Sequence, residues 1–79
     1  MLSEYMDHAL RHAQFEQIED GTYFGEIPGF DGLWANAASE RECRDELRSV
    51  LEGWILLHVA DHTPLPDVDG MTLEIGKPV

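Results

Sequence analysis

The stretch Asp20-Gly-Thr-Tyr-Phe-Gly-Glu-Ile-Pro-Gly-Phe-Asp-Gly-Leu-Trp-Ala-Asn-Ala37 decides the fold. It reads as two strands joined by turns, and it leads straight into a helix start at Ser39-Glu-Arg-Glu42. Across residues 23–27, Tyr23, Gly25 and Ile27 fall on one side and Phe24 and Glu26 on the other, the period of a half-buried strand. Pro28-Gly29 stops that strand, and Phe30-Asp31-Gly32 turns the chain again. Residues 33–37 alternate once more, with Leu33, Ala35 and Ala37 opposite Trp34 and Asn36. Nothing in this stretch reads as catalytic machinery, so it points towards binding rather than chemical transformation.

Working outward, Gln14-Phe-Glu-Gln-Ile18 predicts a preceding strand. Glu19-Asp20-Gly21-Thr22 predicts the hairpin turn, because Asp-Gly tolerates the positive φ angles of a type I′ turn. Upstream, Leu2, Tyr5, Met6, Ala9, Leu10 and Ala13 recur at helical spacing and give residues 1–13 one apolar face. Ser3 is the expected N-cap, and Glu4 and Asp7 suit the positive end of the helix dipole. Downstream, Ser39 and Glu42 form a capping-box pattern. Cys43, Leu47, Val50, Leu51, Trp54 and Leu57 then make a sheet-facing stripe, with an i,i+4 ion pair expected between Glu40 and Arg44. From Trp54 onward Ile55, Leu56 and Val59 widen the stripe beyond what one sheet can cover, so the N-terminal helix or another subunit must pack there. Thr63-Pro-Leu-Pro66 ends the helix region. Residues 67–70 read as a turn, and Met71-Thr-Leu-Glu-Ile75 as a last strand at a sheet edge, open to pairing with another chain. The expected architecture is α+β: an antiparallel sheet of three to four strands packed on one long helix, in the order α-β-β-β-α-β, as a single domain over residues 1–79.

Seventy-nine residues bury a marginal core, which oligomerisation would supplement. Cys43 is the only cysteine, which excludes an intrachain disulfide and a cysteine zinc cluster and fits a reducing cytoplasm. Residues 1–13 carry Glu4, Asp7 and Arg11 and do not read as a signal peptide. The longest apolar run, at residues 54–60, is far short of a membrane span. Sixteen Asp and Glu face five Lys and Arg, a net charge of -11. That charge repels phosphate backbones, so direct nucleic-acid binding is not expected. It would steer in a partner with a basic face, although plain solubility also accounts for it.

Two histidine pairs, His8 with His12 and His58 with His62, stand at the i,i+4 spacing of metal-binding helices, with Asp7 or Asp61 as further donors. No His-Glu-x-x-His motif accompanies them, and surface histidines near helix ends are the plainer reading, so no metal or cofactor is expected. Glu16, Glu19, Asp20 and Glu26 gather around one hairpin, but they alternate with turn residues and read as a solvated face rather than a metal-dependent nuclease site. Ser39 is a cap, and Cys43 lies on the buried stripe as a small hydrophobe. Gly21, Gly25, Gly29 and Gly32 belong to turns and strands, not to a phosphate loop. Tyr23, Phe24 and Trp34 could stack bases, but without basic neighbours they read as core or protein interface. Tyr23, Trp34, Leu51, Trp54, Ile55 and Leu56 are the expected core or interface residues.

The residues Tyr23-Phe-Gly-Glu-Ile-Pro-Gly-Phe-Asp-Gly-Leu-Trp-Ala-Asn-Ala37, Ser39-Glu-Arg-Glu-Cys43, Glu46-Leu47 and Leu51-Glu-Gly-Trp-Ile-Leu-Leu57 together resemble the HicB-type antitoxins, over about Phe15 to Pro66. The resemblance implies a partial ribonuclease-H-like fold of three antiparallel strands, a helix and a further strand, without nuclease activity. It also implies a partner: HicA, a small basic toxin with a double-stranded-RNA-binding fold that cleaves messenger RNA, whose RNA surface and active site the antitoxin covers. Many members of that family carry a C-terminal DNA-binding segment. This chain ends at Val79, so operator binding is not expected of it. The N-terminal helix is an addition to the family's simplest pattern and could brace the long helix or mediate dimerisation. The expected partner-binding residues are Glu16, Glu19 and Glu26 on the hairpin, Asp31 in the second turn and Glu74 in the last strand.

Overall fold

The computed structural model describes residues 2–70 of the chain. The predicted strand at residues 71–75 lies outside the described residues. Within them the order is α1 (Leu2–Arg11), β1 (Gln14–Gln17), β2 (Tyr23–Glu26), β3 (Trp34–Ala37) and α2 (Glu40–Ala60). The strands form one antiparallel sheet in the order β1-β2-β3, so the α+β architecture and its element order are as the sequence predicts.

The turns follow from a few residue types. Ile27 C=O accepts from Phe30 N–H at 3.1 Å, with Pro28 at the second position and Gly29 at φ +89° in the third, the pattern of a type II turn. Phe30 and Leu33 close a second such turn around Gly32 at φ +81°. The β1–β2 turn is not type I′. Ile18 C=O accepts from Gly21 N–H and Ile18 N–H donates to Thr22 C=O, each at 2.9 Å, and of the loop residues only Gly21 has positive φ, +87°. The loop therefore has three residues, a turn followed by a left-handed glycine, and Asp20 stays in ordinary backbone space.

α2 begins where the sequence places it: Ser39 Oγ accepts from Glu42 N–H at 3.1 Å. Its end differs in mechanism. Thr63 N–H donates to His58 C=O at 2.8 Å and His62 N–H to Val59 C=O at 3.1 Å, with His62 itself at φ +56°. That is a Schellman closure with histidine in the position glycine usually takes, and Pro64 follows it. Ser3 lies inside α1 rather than capping it, because helical backbone already starts at Leu2.

One face of the sheet is covered by α2. Phe15, Gly25 and Ala35 stand in one cross-strand row and Gln17, Tyr23 and Ala37 in the next. Cys43, Leu47, Leu51 and Ile55 of α2 are fully buried, and Tyr23, Val50 and Trp54 pack at the edge of the same cluster. Leu57 does not belong to this stripe: it is 67% exposed, as is Leu56 at 58%. Helical steps of about 100° carry Leu56 round to the side away from the sheet and put Leu57 on the flank that Val50 also occupies, beyond the end of the buried stripe. α1 buries Tyr5, Met6, Ala9 and Leu10 and packs on α2, but this leaves the two leucines outside. The β2–β3 loop completes the core with Ile27, Phe30 and Leu33. Phe30 meets Trp54 at 5.0 Å between ring centres, and Trp54 Nε1 donates to Asp31 C=O at 3.0 Å. The expected Glu40–Arg44 ion pair is not formed. Arg44 instead stands over the Phe15 ring, 4.8 Å from its centre, and Arg48 reaches Asp7 of α1 at 2.9 Å.

Candidate protein-binding face

The other face of the sheet is uncovered among the described residues. Alternation puts Gln14 and Glu16 of β1, Phe24 and Glu26 of β2, and Trp34 and Asn36 of β3 on it. The register sets Glu16 directly opposite Phe24 and Glu26 directly opposite Trp34, so each aromatic ring has a carboxylate as its cross-strand neighbour. Phe24 and Trp34 sit on the diagonal and stack, with ring centres 6.0 Å apart and planes inclined by 22°. Trp34 is therefore not a core residue. It is 55% exposed, because Ala35 takes the inward position in β3 and Trp34 must point out. Neither Glu16 nor Glu26 forms a salt bridge among the described residues, and no Lys or Arg stands on this face.

One rim of the face is fixed by hydrogen bonds. Asp20 Oδ1 accepts from Thr22 N–H at 2.9 Å and from Thr22 Oγ1 at 2.6 Å, and these bonds hold the Asp20 carboxyl below the usual carboxylate range. Asn36 Nδ2 donates to Thr22 Oγ1 at 2.8 Å and to Tyr23 C=O at 2.9 Å, tying β3 to the start of β2.

The structure brings together only part of the predicted partner-binding set. Glu16 and Glu26 share the sheet face. Glu19, in the β1–β2 loop, and Asp31, in the β2–β3 loop, lie at opposite ends of β2. Glu74 lies outside the described residues. Asp31 contributes its backbone carbonyl to Trp54, which gives it a packing role. Sequence reasoning separated Phe24 and Trp34 from the opposite faces of their strands but did not say which face points out, and it read Trp34 as core or interface. The signal that it stands out was Gly25 and Ala35, the small residues of the facing row, which leave room for α2.

The histidines separate into two cases. His8 Nδ1 and His12 Nε2 both meet Asp69, at 2.9 Å to Oδ2 and 2.6 Å to Oδ1. Their two bonds hold the Asp69 carboxyl below its ordinary range. The clasp ties α1 to the segment after α2, where Val68 is buried and Tyr5 Oη donates to Pro66 C=O. Burial, with the Asp67 charge behind it, pushes the Tyr5 phenol up. His58 instead stacks on Trp54 at 3.7 Å and donates from Nδ1 to Trp54 C=O at 2.9 Å, while His62 closes the helix. Among the described residues no group of three or more His, Cys, Asp or Glu is arranged to hold a metal ion. An open cleft of about 360 Å³ lies beside the clasp, lined by His12, Gln14, Pro28, Phe30 and Asp69 among others. No described helix is long and apolar enough to cross a membrane.

Fold and face together define a small α+β domain that presents an acidic, aromatic sheet surface. The chain belongs to the UPF0150-like family, which it matches over residues 4–66. It is similar to TTHA0281 from Thermus thermophilus, known from a crystal structure. The two share 32% identity and a TM-score of 0.89, over 96% of this chain and 95% of that one. No curated protein matches the chain.

Proposed function

We propose that this chain is an antitoxin-like binding module of HicB type, which neutralises a small basic messenger-RNA-cleaving toxin of HicA type by covering its RNA-binding and active surface. It does so in the cytoplasm and performs no reaction itself. The observation that carries this reading is the outer sheet face, where two glutamates without internal counter-ions flank a stacked aromatic pair. A toxin surface built to hold RNA is basic, and such a surface is the electrostatic complement of this face and of a chain with net charge -11. Membership of the UPF0150-like family is compatible with the reading. Coexpression with the adjacent small basic reading frame tests it. The expected result is that the neighbour arrests growth alone, that this chain relieves the arrest, and that the two copurify. A neighbour that is harmless alone and fails to copurify overturns the reading.

A second reading is favoured by a different observation. Leu56 and Leu57 stay exposed on α2 after both the sheet and α1 have packed. They support a stand-alone oligomeric protein of the same fold, structural or regulatory, with no toxin to neutralise.

A further inference from the structure

We propose that the two aromatic–carboxylate couples, Phe24 with Glu16 and Trp34 with Glu26, are sockets for guanidinium groups. The occupant of the sheet face is then a protein surface that presents arginines rather than lysines. This rests on the reading that the outer face binds a basic partner, and it specifies which cation that partner must offer.

Register creates the couples. A directly opposed cross-strand pair holds its side chains about 5 Å apart at Cβ, so in both couples the carboxylate is within reach of a cation lying on the ring. A guanidinium is flat and weakly hydrated. It can lie on a ring face while its N–H fork reaches a neighbouring carboxylate. A lysine ammonium has neither the plane nor the fork, and it keeps its water more tightly. The two rings are inclined by only 22° with their centres 6.0 Å apart, so the two couples are neighbours on the face rather than isolated sites. The molecule already uses this pairing on the opposite side of the sheet, where the Arg44 guanidinium lies 4.8 Å over the Phe15 ring. On the outer face the rings and carboxylates are present and the cation is not supplied by the described chain: Arg44 faces Phe15, and Arg48 is held by Asp7. Nucleic-acid bases would also stack on such rings, but Glu16 and Glu26 would then face phosphates.

The experiment is a calorimetric titration of the full chain with an octa-arginine and an octa-lysine peptide, which carry the same charge. The expected result is binding about fivefold tighter for the arginine peptide. Trp34→Leu, which keeps an apolar side chain but removes the π face, should reduce that preference, and Trp34→Leu with Phe24→Leu should erase it, while leaving the lysine affinity in place. Glu16→Gln with Glu26→Gln should weaken both peptides. Trp34 is exposed, so these variants should melt as the parent does, and Trp34→Ala supplies a second test of the ring. Equal affinity for the two peptides overturns the sockets, as does an arginine preference that survives the loss of both rings. The outcome is separable from the toxin reading. A copurifying basic partner whose binding ignores Trp34→Leu with Phe24→Leu leaves the antitoxin role standing and removes the sockets. A Trp34-dependent arginine preference without any neutralised neighbour does the reverse.

Discussion

At the residue scale, two glycines show how local surroundings decide the sign of the same substitution. A Cβ added at Gly25 would lie 2.7 Å from Phe15 Cε1 and 3.1 Å from Cys43 Sγ, so the residue marks where α2 comes down on the sheet. Gly25→Ala should therefore destabilise. The overpacking cost of about 1–3 kcal/mol outweighs the gain of roughly 0.4–1 kcal/mol from a stiffer unfolded chain. Gly53 lies within α2 and a Cβ there meets nothing within 4 Å, so Gly53→Ala should stabilise by up to about 1 kcal/mol. Urea denaturation with a common slope should move the midpoint down for the first and up for the second. A Gly25→Ala protein as stable as the parent would mean that Phe15 yields freely. Beside Gly25, burial and then the charges of Glu40 and Glu46 push the Cys43 thiol up, which fits its place as packing rather than nucleophile.

At the scale of elements, the segment after α2 is held to α1 by one carboxylate bridging two histidines. The folded Asp69 carboxyl is depressed relative to its unfolded value, so its contribution is present above the unfolded pKa of about 3.9 and is lost as pH falls through the folded one. Asp69→Asn should lower the melting temperature at pH 7, and the gap to the parent should close as pH drops below the ordinary carboxylate range. A gap that is constant with pH would assign the effect to the geometry of the two hydrogen bonds and not to charge, because asparagine tolerates the left-handed backbone at this position, φ +49°, as aspartate does. This clasp was not legible in the sequence, because 57 residues separate His12 from Asp69 and no local pattern links them. The strands and turns were legible because their causes are local: alternation fixes which side Phe24 and Glu26 take, and Pro28-Gly29 fixes a turn. The same locality misled elsewhere. His62 ends the helix in a place where glycine is the usual signal, and Leu57 falls one helical step off the buried stripe. For Trp34, strand alternation alone leaves core and interface both open, and it takes the packing of α2 on the Gly25 and Ala35 row to show which face is out. Of the candidate site, the sequence therefore placed Glu16 and Glu26 on one face, while the pairing of each with a ring needed the register.

At the scale of the whole molecule, charge and apolar surface pull association in opposite directions. Leu56 and Leu57 together expose on the order of 200 Å² of apolar surface per chain, so burying them in both copies of a dimer is worth at most about 10 kcal/mol. Pairing two copies costs roughly 4–15 kcal/mol in lost freedom, and two chains of net charge -11 repel as well. The leucines alone therefore sustain at most a weak dimer, and one that salt strengthens, because a Debye length of about 10 Å at 0.1 M falls to about 3 Å at 1 M. A basic partner on the sheet face behaves oppositely, since its attraction is what salt screens. Light scattering after size exclusion, run at about 50 mM and about 1 M salt, should show a monomer first and partial dimer second. Leu57→Glu should keep the chain monomeric in both while leaving any complex with a basic partner intact. A dimer at low salt that Leu57→Glu does not disturb would place self-association on another surface. A complex with a basic protein that tightens with salt would show that apolar contact, not the Glu16 and Glu26 face, carries the binding.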